Sequence, residues 1–277
     1  MNAIVMSVDT TPILYEKRGH IALLTINRPE ARNALTPEML CRLADAFRDF
    51  KEDSQLRAAI LTATGEKAFC SGGDLALTLP LLGGSRQPEN DWDERLISDP
   101  TVMQISSLRN FSLYKPVIAA INGPCLAGGM ELVLGTDIRI ATENSIFGLP
   151  EVTRALIPFA GSMVRLPRQI PYVRAMEMLL TGKAISSSDA LAYGLINKVV
   201  SPADLLKVAF DYAQVISDNG PVALQAIKET VMRTSGLSFD EGYALEDVAK
   251  QMVFATEDSV EGPRAFMEKR SPVYKGR

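Results

Sequence analysis

The chain has 277 residues, 47% of them hydrophobic, and a formal net charge of −4. That is enough apolar material for one large domain, or for one domain with a helical appendage, while the acidic balance and the dispersed Lys and Arg residues argue against general nucleic-acid binding. No apolar run approaches the roughly 20 residues of a membrane span, and Met1 to Thr10 carries neither a basic leader nor a long apolar core, so a cytoplasmic location is expected.

In chain order, Ile13 to Ile26 reads as a hairpin whose turn holds Gly19 and His20. His20 is the only histidine, which argues against a His-based metal cluster or a Ser-His-Asp triad. Pro37 to Lys51 has the spacing of an amphipathic helix, and Arg57 to Ala63 that of a strand. Cys41, Cys70 and Cys125 form no paired spacing, so three free thiols in a reducing compartment are expected. Leu75 to Tyr114 is hard to assign: a glycine turn at Leu82 to Ser85, an acidic run at Asn90 to Glu94, then a helix-like stretch from Val102 to Leu113. Val117 to Ile121 reads as a buried strand, Asn122-Gly123-Pro124 as a turn and Ala127 to Leu134 as a helix, followed by short strands at Ile138 to Ala141 and Ser145 to Phe147. Beyond Pro202 four helices are expected, at Pro202 to Asp218, Pro221 to Thr234, Phe239 to Ala255 and Ser259 to Lys269, with Ser238 and Glu241 spaced as a capping box. The pattern predicts an α/β core over residues 1–200 and a helical region over 201–277. Periodicity alone does not separate a doubly wound sheet from other βα arrangements.

The chemistry concentrates in Lys115 to Asp137, K-P-V-I-A-A-I-N-G-P-C-L-A-G-G-M-E-L-V-L-G-T-D. The first amides of the predicted helix lack intrahelical partners and can hold developing negative charge. Gly128 and Gly129 let a ligand carbonyl approach the main chain, and Glu131 falls in the first turn beside it, a pairing suited to enolate chemistry. A second glycine turn, G-E-K-A-F-C-S-G-G-D-L at Gly65 to Leu75, could aim the amide of Gly72 or Gly73 at the same oxygen.

Together with N-R-P-E-A-R-N-A-L at Asn27 to Leu35 and F-G-L-P-E at Phe147 to Glu151, these segments resemble the crotonase superfamily, the enoyl-CoA hydratases and isomerases, from about Ile13 to the C-terminus. The resemblance implies a spiral of ββα repeats with a C-terminal helical trimerisation region, assembled as a homotrimer or homohexamer. It implies oxyanion amides at Gly73 and Gly128 and catalytic carboxylates at Glu131 and Glu151. The substrate it implies is an acyl-CoA thioester, with main-chain contacts from Ala31 to Asn33 and along Ser71, Asp74, Leu75 and Ala76, and with Arg28, Arg32 or Lys67 near phosphate. Coenzyme A is then part of the substrate, and no separate cofactor or metal is expected. In the family, Leu75 to Tyr114 would border the acyl pocket. Two glutamates favour hydration of a 2-enoyl-CoA to a 3-hydroxyacyl-CoA, since the isomerase arm usually manages with one carboxylate. The alternatives are Δ3,Δ2-enoyl-CoA isomerisation, another acyl-CoA lyase reaction, or a non-catalytic scaffold binding acyl-CoA or RNA. One departure stands out: Phe159 occupies a position that typical hydratases give to a glycine whose amide helps hold the water.

Overall fold

The computed structural model describes residues 10–277; the segment read above for an export leader lies almost wholly outside the described residues. Strands β1 (Ile13–Arg18) and β2 (Ile21–Ile26) form the expected hairpin, followed by α1 (Pro37–Glu52) and β3 (Ala58–Ala63). Thr36 starts α1 by accepting a hydrogen bond from the Met39 amide at 3.3 Å, with Pro37 in the first turn, where its missing N–H costs nothing. The stretch that resisted assignment resolves into three short helices, α2 (Thr78–Leu82), α3 (Asp91–Ser98) and α4 (Pro100–Ser106). Asn90 and Asp99 cap the second and third through their side chains. The helix-like reading of Val102 to Leu113 is therefore too long: Leu108 and Asn110 turn left-handed, with φ of 54° and 51°, and end it.

Strand β4 (Val117–Ile121) leads through the two-residue β5 (Cys125–Leu126) into α5 (Gly128–Val133), then β6 (Ile138–Thr142) and β7 (Ile146–Gly148). Beyond a 3₁₀ turn at Pro150–Arg154 come α6 (Ser162–Gln169), α7 (Tyr172–Thr181), β8 (Ile185–Ser186), α8 (Ser187–Ala192) and β9 (Lys198–Val200), none of which the sequence reading assigned. The chain ends with α9 (Leu205–Ser217), α10 (Pro221–Thr234), α11 (Phe239–Phe254) and α12 (Asp258–Met267), with the capping box of Ser238 and Glu241 present at α11.

The larger sheet has six strands in the order β1-β2-β3-β4-β6-β9, all parallel except the opening hairpin. Its central strands are buried along their whole length because both faces are covered, which is why they read as unbroken apolar runs. Alternate residues divide between two cores. Leu24, Ile26, Leu61 and Ile121 join the main cluster with Phe47 of α1 and Met130 of α5, whereas Leu23, Ile60 and Ile118 pack under Leu205, Ala209 and Ala213 of α9. Those three α9 positions, spaced four apart, form one helical face. A second sheet, β5-β7-β8, carries the turn that opens α5. Among the described residues, no helix is long and apolar enough to cross a membrane.

A buried arginine anchors the far end of α5. The Arg139 guanidinium donates to the carbonyls of Val133 at 2.9 Å, Thr136 at 2.9 Å and Leu195 at 3.0 Å, placing a cation where the helix carbonyls lack intrahelical partners. Arg139→Met leaves the Thr136 and Leu195 carbonyls without a donor, while that of Val133 keeps the Thr136 amide and hydroxyl, and is expected to lower the unfolding free energy by roughly 3 kcal/mol. Denaturant titration checks this: an unmoved midpoint would show that water or a neighbouring donor serves the carbonyls equally well.

Candidate active site

The site begins where two main-chain segments meet. Leu126 N–H donates to the Cys70 carbonyl at 2.9 Å, and the Phe69 and Cys70 amides donate to the Pro124 carbonyl at 3.0 and 3.2 Å, drawing the turn after β3 against β5. This approach tolerates no side chain: a Cβ on Gly72 would lie 2.6 Å from that of Ala127, and one on Gly129 would lie 2.6 Å from that of Cys70. Gly72 also has a φ of +105°, a region that other residues rarely adopt. Ala127 sits at φ 49° just before α5, the kind of backbone strain that persists only where surrounding contacts hold it.

Both proposed oxyanion donors emerge from this contact. In the bridge between Leu35 and Gly73, Leu35 N–H donates to the Gly72 carbonyl at 2.8 Å and Asp74 N–H donates to the Leu35 carbonyl at 2.9 Å, so the bonds use the residues flanking Gly73 and leave its own N–H directed away. Gly128 opens α5, where amides have no intrahelical acceptor. The two residues adjoin: a Cβ built on Gly128 would lie 3.4 Å from the Gly73 nitrogen.

One cavity of about 580 Å³ includes both glycines and both glutamates in its wall. Glu131 is only 4% exposed. Its Oε1 accepts from the Ala160 amide at 2.7 Å, the Ser162 hydroxyl at 3.1 Å and, more weakly, the Ser162 amide at 3.4 Å. Burial raises its carboxyl above the usual range, while those donors and the charge of Arg165 pull the other way. Glu151 stands in the 3₁₀ turn after β7, half-buried, and its buried Oε2 has no hydrogen-bond partner. Burial pushes it up to about 7; the nearby Glu131 charge adds to that, while a main-chain hydrogen bond and Arg154 oppose it. Two carboxyls in one cavity thus differ in how strongly the protein supports their ionised form.

Ala31, Arg32, Ser71, Asp74, Leu75, Ala76 and Phe159 line the same cavity. Arg28 and Lys67 do not. Arg28 donates to Asp74 at 2.6 Å and to the Ala34 carbonyl at 3.0 Å, bracing the loop beneath the cavity, and Lys67 is exposed on the turn after β3. Phe159 lines the cavity, and its carbonyl accepts from Arg109 at 2.8 Å; the amide aimed at Glu131 is that of the next residue, Ala160. The sequence reading missed Ala160, Ser162 and Arg165. Their only signal was that they closely follow the departure at Phe159. Among the described residues, no group of three or more His, Cys, Asp or Glu is arranged to hold a metal.

The profile of the family described as Enoyl-CoA hydratase/isomerase matches residues 16–277. The chain is 40% identical to the enoyl-CoA hydratase EchA19 of Mycobacterium tuberculosis, over 98% of this chain and 99% of that one. It is 37% identical to the (E)-benzylidenesuccinyl-CoA hydratase of Thauera aromatica, over 96% and 99% respectively. The crystal structure of an enoyl-CoA hydratase from Bacillus anthracis superposes with a TM-score of 0.85 at 37% identity, covering 96% of this chain and 100% of that one.

The Glu151 environment makes a prediction about stability. Its carboxyl titrates near 4.5 when unfolded and near 7 when folded, so between those values the folded state holds a proton that the unfolded state has released. Stability from this group is therefore present below about 4.5 and lost as pH rises to about 7. Glu151→Gln removes that loss, and its unfolding free energy relative to the wild type should rise by at most roughly 3 kcal/mol across the interval. Parallel pH–stability curves for the two proteins would refute the assignment.

Proposed function

This chain belongs to the enoyl-CoA hydratase/isomerase family, and on that premise we propose that it hydrates a 2-enoyl-CoA thioester to the 3-hydroxyacyl-CoA. The observation that carries this reading is the adjacency of the Gly73 and Gly128 amides in a cavity whose wall also holds two glutamates. The thioester oxygen is taken to lie between the two amides. Water then adds through oxygen to C3, the C2–C3 π electrons move towards the thioester, and the amides stabilise the resulting enolate oxygen. Each such donor is worth about 2.7 to 4 kcal/mol in the barrier.

The environments divide the proton work. Glu131, whose Oε1 takes bonds from Ala160 and Ser162, is suited to accept a proton from the attacking water. Glu151, whose proton is held up to about 7, is suited to deliver one to C2. Water is consumed as hydroxide at C3 and a proton at C2, and exchange between the carboxyls through solvent restores the starting state. Hydratase-named relatives along nearly the full chain, and two carboxylates rather than one, support hydration over isomerisation.

The same reading includes a homotrimer or homohexamer. Its support is the large apolar side chains that one chain leaves uncovered on its last helices, such as Phe239 at 83% and Phe266 at 85% exposure. Light scattering should give three or six times the chain mass, and a monomer at micromolar concentration would remove this part of the reading.

Turnover follows from loss of the conjugated enoyl absorbance across a panel of short, long and aromatic 2-enoyl-CoA substrates. Glu131→Gln and Glu151→Gln are each expected to slow hydration by about 10² to 10⁴. The wild-type rate should fall as pH rises past about 7 and Glu151 loses its proton, a limb that Glu151→Gln lacks. Silence on every 2-enoyl substrate with turnover of a 3-enoyl thioester would make the protein an isomerase.

A further inference from the structure

Glu131 depends on a segment with little support of its own. Around it, Leu156, Ile157 and Phe159 are 45%, 59% and 44% exposed, yet this stretch must place the Ala160 amide 2.7 Å from a buried carboxylate oxygen. Two arginines tie it to the end of α4. Arg109 donates to the Phe159 carbonyl at 2.8 Å, and Arg165, one turn into α6, reaches back to donate to the Ser107 carbonyl at 2.9 Å and to that of Leu108. The Arg165 guanidinium fills the space beside two glycines: a Cβ on Gly135 would lie 2.9 Å from its Nη1, and one on Gly161 3.5 Å. It has no carboxylate within ion-pairing distance among the described residues. The acidic group whose charge it feels is Glu131 itself.

We propose that Arg165 and Ser162 are positioning residues: Arg165 locks the start of α6 onto the end of α4, so that Ser162 and Ala160 hold Glu131 in one orientation as a carboxylate. This deepens the hydratase reading and rests on it for the role of Glu131. The charged groups facing this pair can be named from each side. Glu151 faces Glu131 from the 3₁₀ turn and Arg165 from α6, with Arg154 beyond Glu151; Arg109 faces Arg165 from the end of α4, and Lys228 of α10, ion-paired with Asp137 at 2.7 Å, faces it from behind. Asp74 also lines the cavity. Of these, only Arg165 is a cation that bears directly on Glu131.

The test reads Glu131 with and without turnover. Infrared difference spectra between each protein and its Glu131→Gln counterpart give the titration midpoint of this carboxyl in the absence of substrate. Arg165→Met and Ser162→Ala should each raise that midpoint by about one pH unit, and Arg165→Lys should recover part of the shift. In steady-state hydration the acid limb of the kcat profile should move upwards by the same amount. KM for the acyl-CoA should change less than threefold, because neither side chain is taken to touch coenzyme A. Should Arg165→Met fail to fold, Ser162→Ala alone decides the case, since it deletes one hydroxyl. Unmoved midpoints in folded variants overturn the proposal. Shifted midpoints in a protein that hydrates no enoyl-CoA uphold the positioning role and reject the hydratase reading.

Discussion

The constraint on which the site depends is the contact between the turn that follows β3 and the turn that opens α5. Two backbones meet at a separation where Gly72 and Gly129 leave no room for a methyl group, and the Leu126 to Cys70 hydrogen bond locks their register. Everything chemical is referred to this contact. It sets the Gly73 amide beside Gly128, and because Glu131 lies on the helix that starts there, it also sets where the carboxylate stands relative to both amides. A parallel sheet sealed on both faces supplies the rigidity, since β3 and β4, which deliver the two turns, are neighbours paired from Ala59 and Val117 to Leu61 and Ala119.

A second level of organisation governs protonation. Burying two carboxyls in one cavity raises both, and the protein separates them by unequal support. Glu131 receives directed donors and a nearby guanidinium, whereas Glu151 keeps a buried oxygen without a partner. Such asymmetry lets two chemically identical side chains hold different protonation states at one pH. It comes from segments outside the glycine contact: the start of α6 and the end of α4, tied by Arg165 and Arg109.

Legibility in the sequence followed the range of the forces involved. The hairpin, α1, β3, β4 and the last helices declared themselves because alternation, capping residues and Gly-Pro punctuation act within a few residues. The glycine turns and their glutamates could be read because a close backbone approach demands a residue without Cβ. The stretch from Leu75 to Tyr114 was harder: its helices are short, and one ends at Ser106 through left-handed residues that carry no glycine signal. Arg28 shows what a local reading leaves out: it is ion-paired with Asp74, 46 positions away.

Sequence alone therefore determined the opening hairpin, α1, β3, β4 and the last helices, the two glycine-rich turns and the residue types available for chemistry, because each of these depends on local sterics and hydrogen-bonding capacity. Tertiary structure decided which of those groups meet and in what electrical surroundings. Ala160, Ser162 and Arg165 reach Glu131 across about 30 residues of intervening chain. Desolvation, which lifts Glu151 to about 7, depends on what packs around a side chain rather than on its neighbours in sequence.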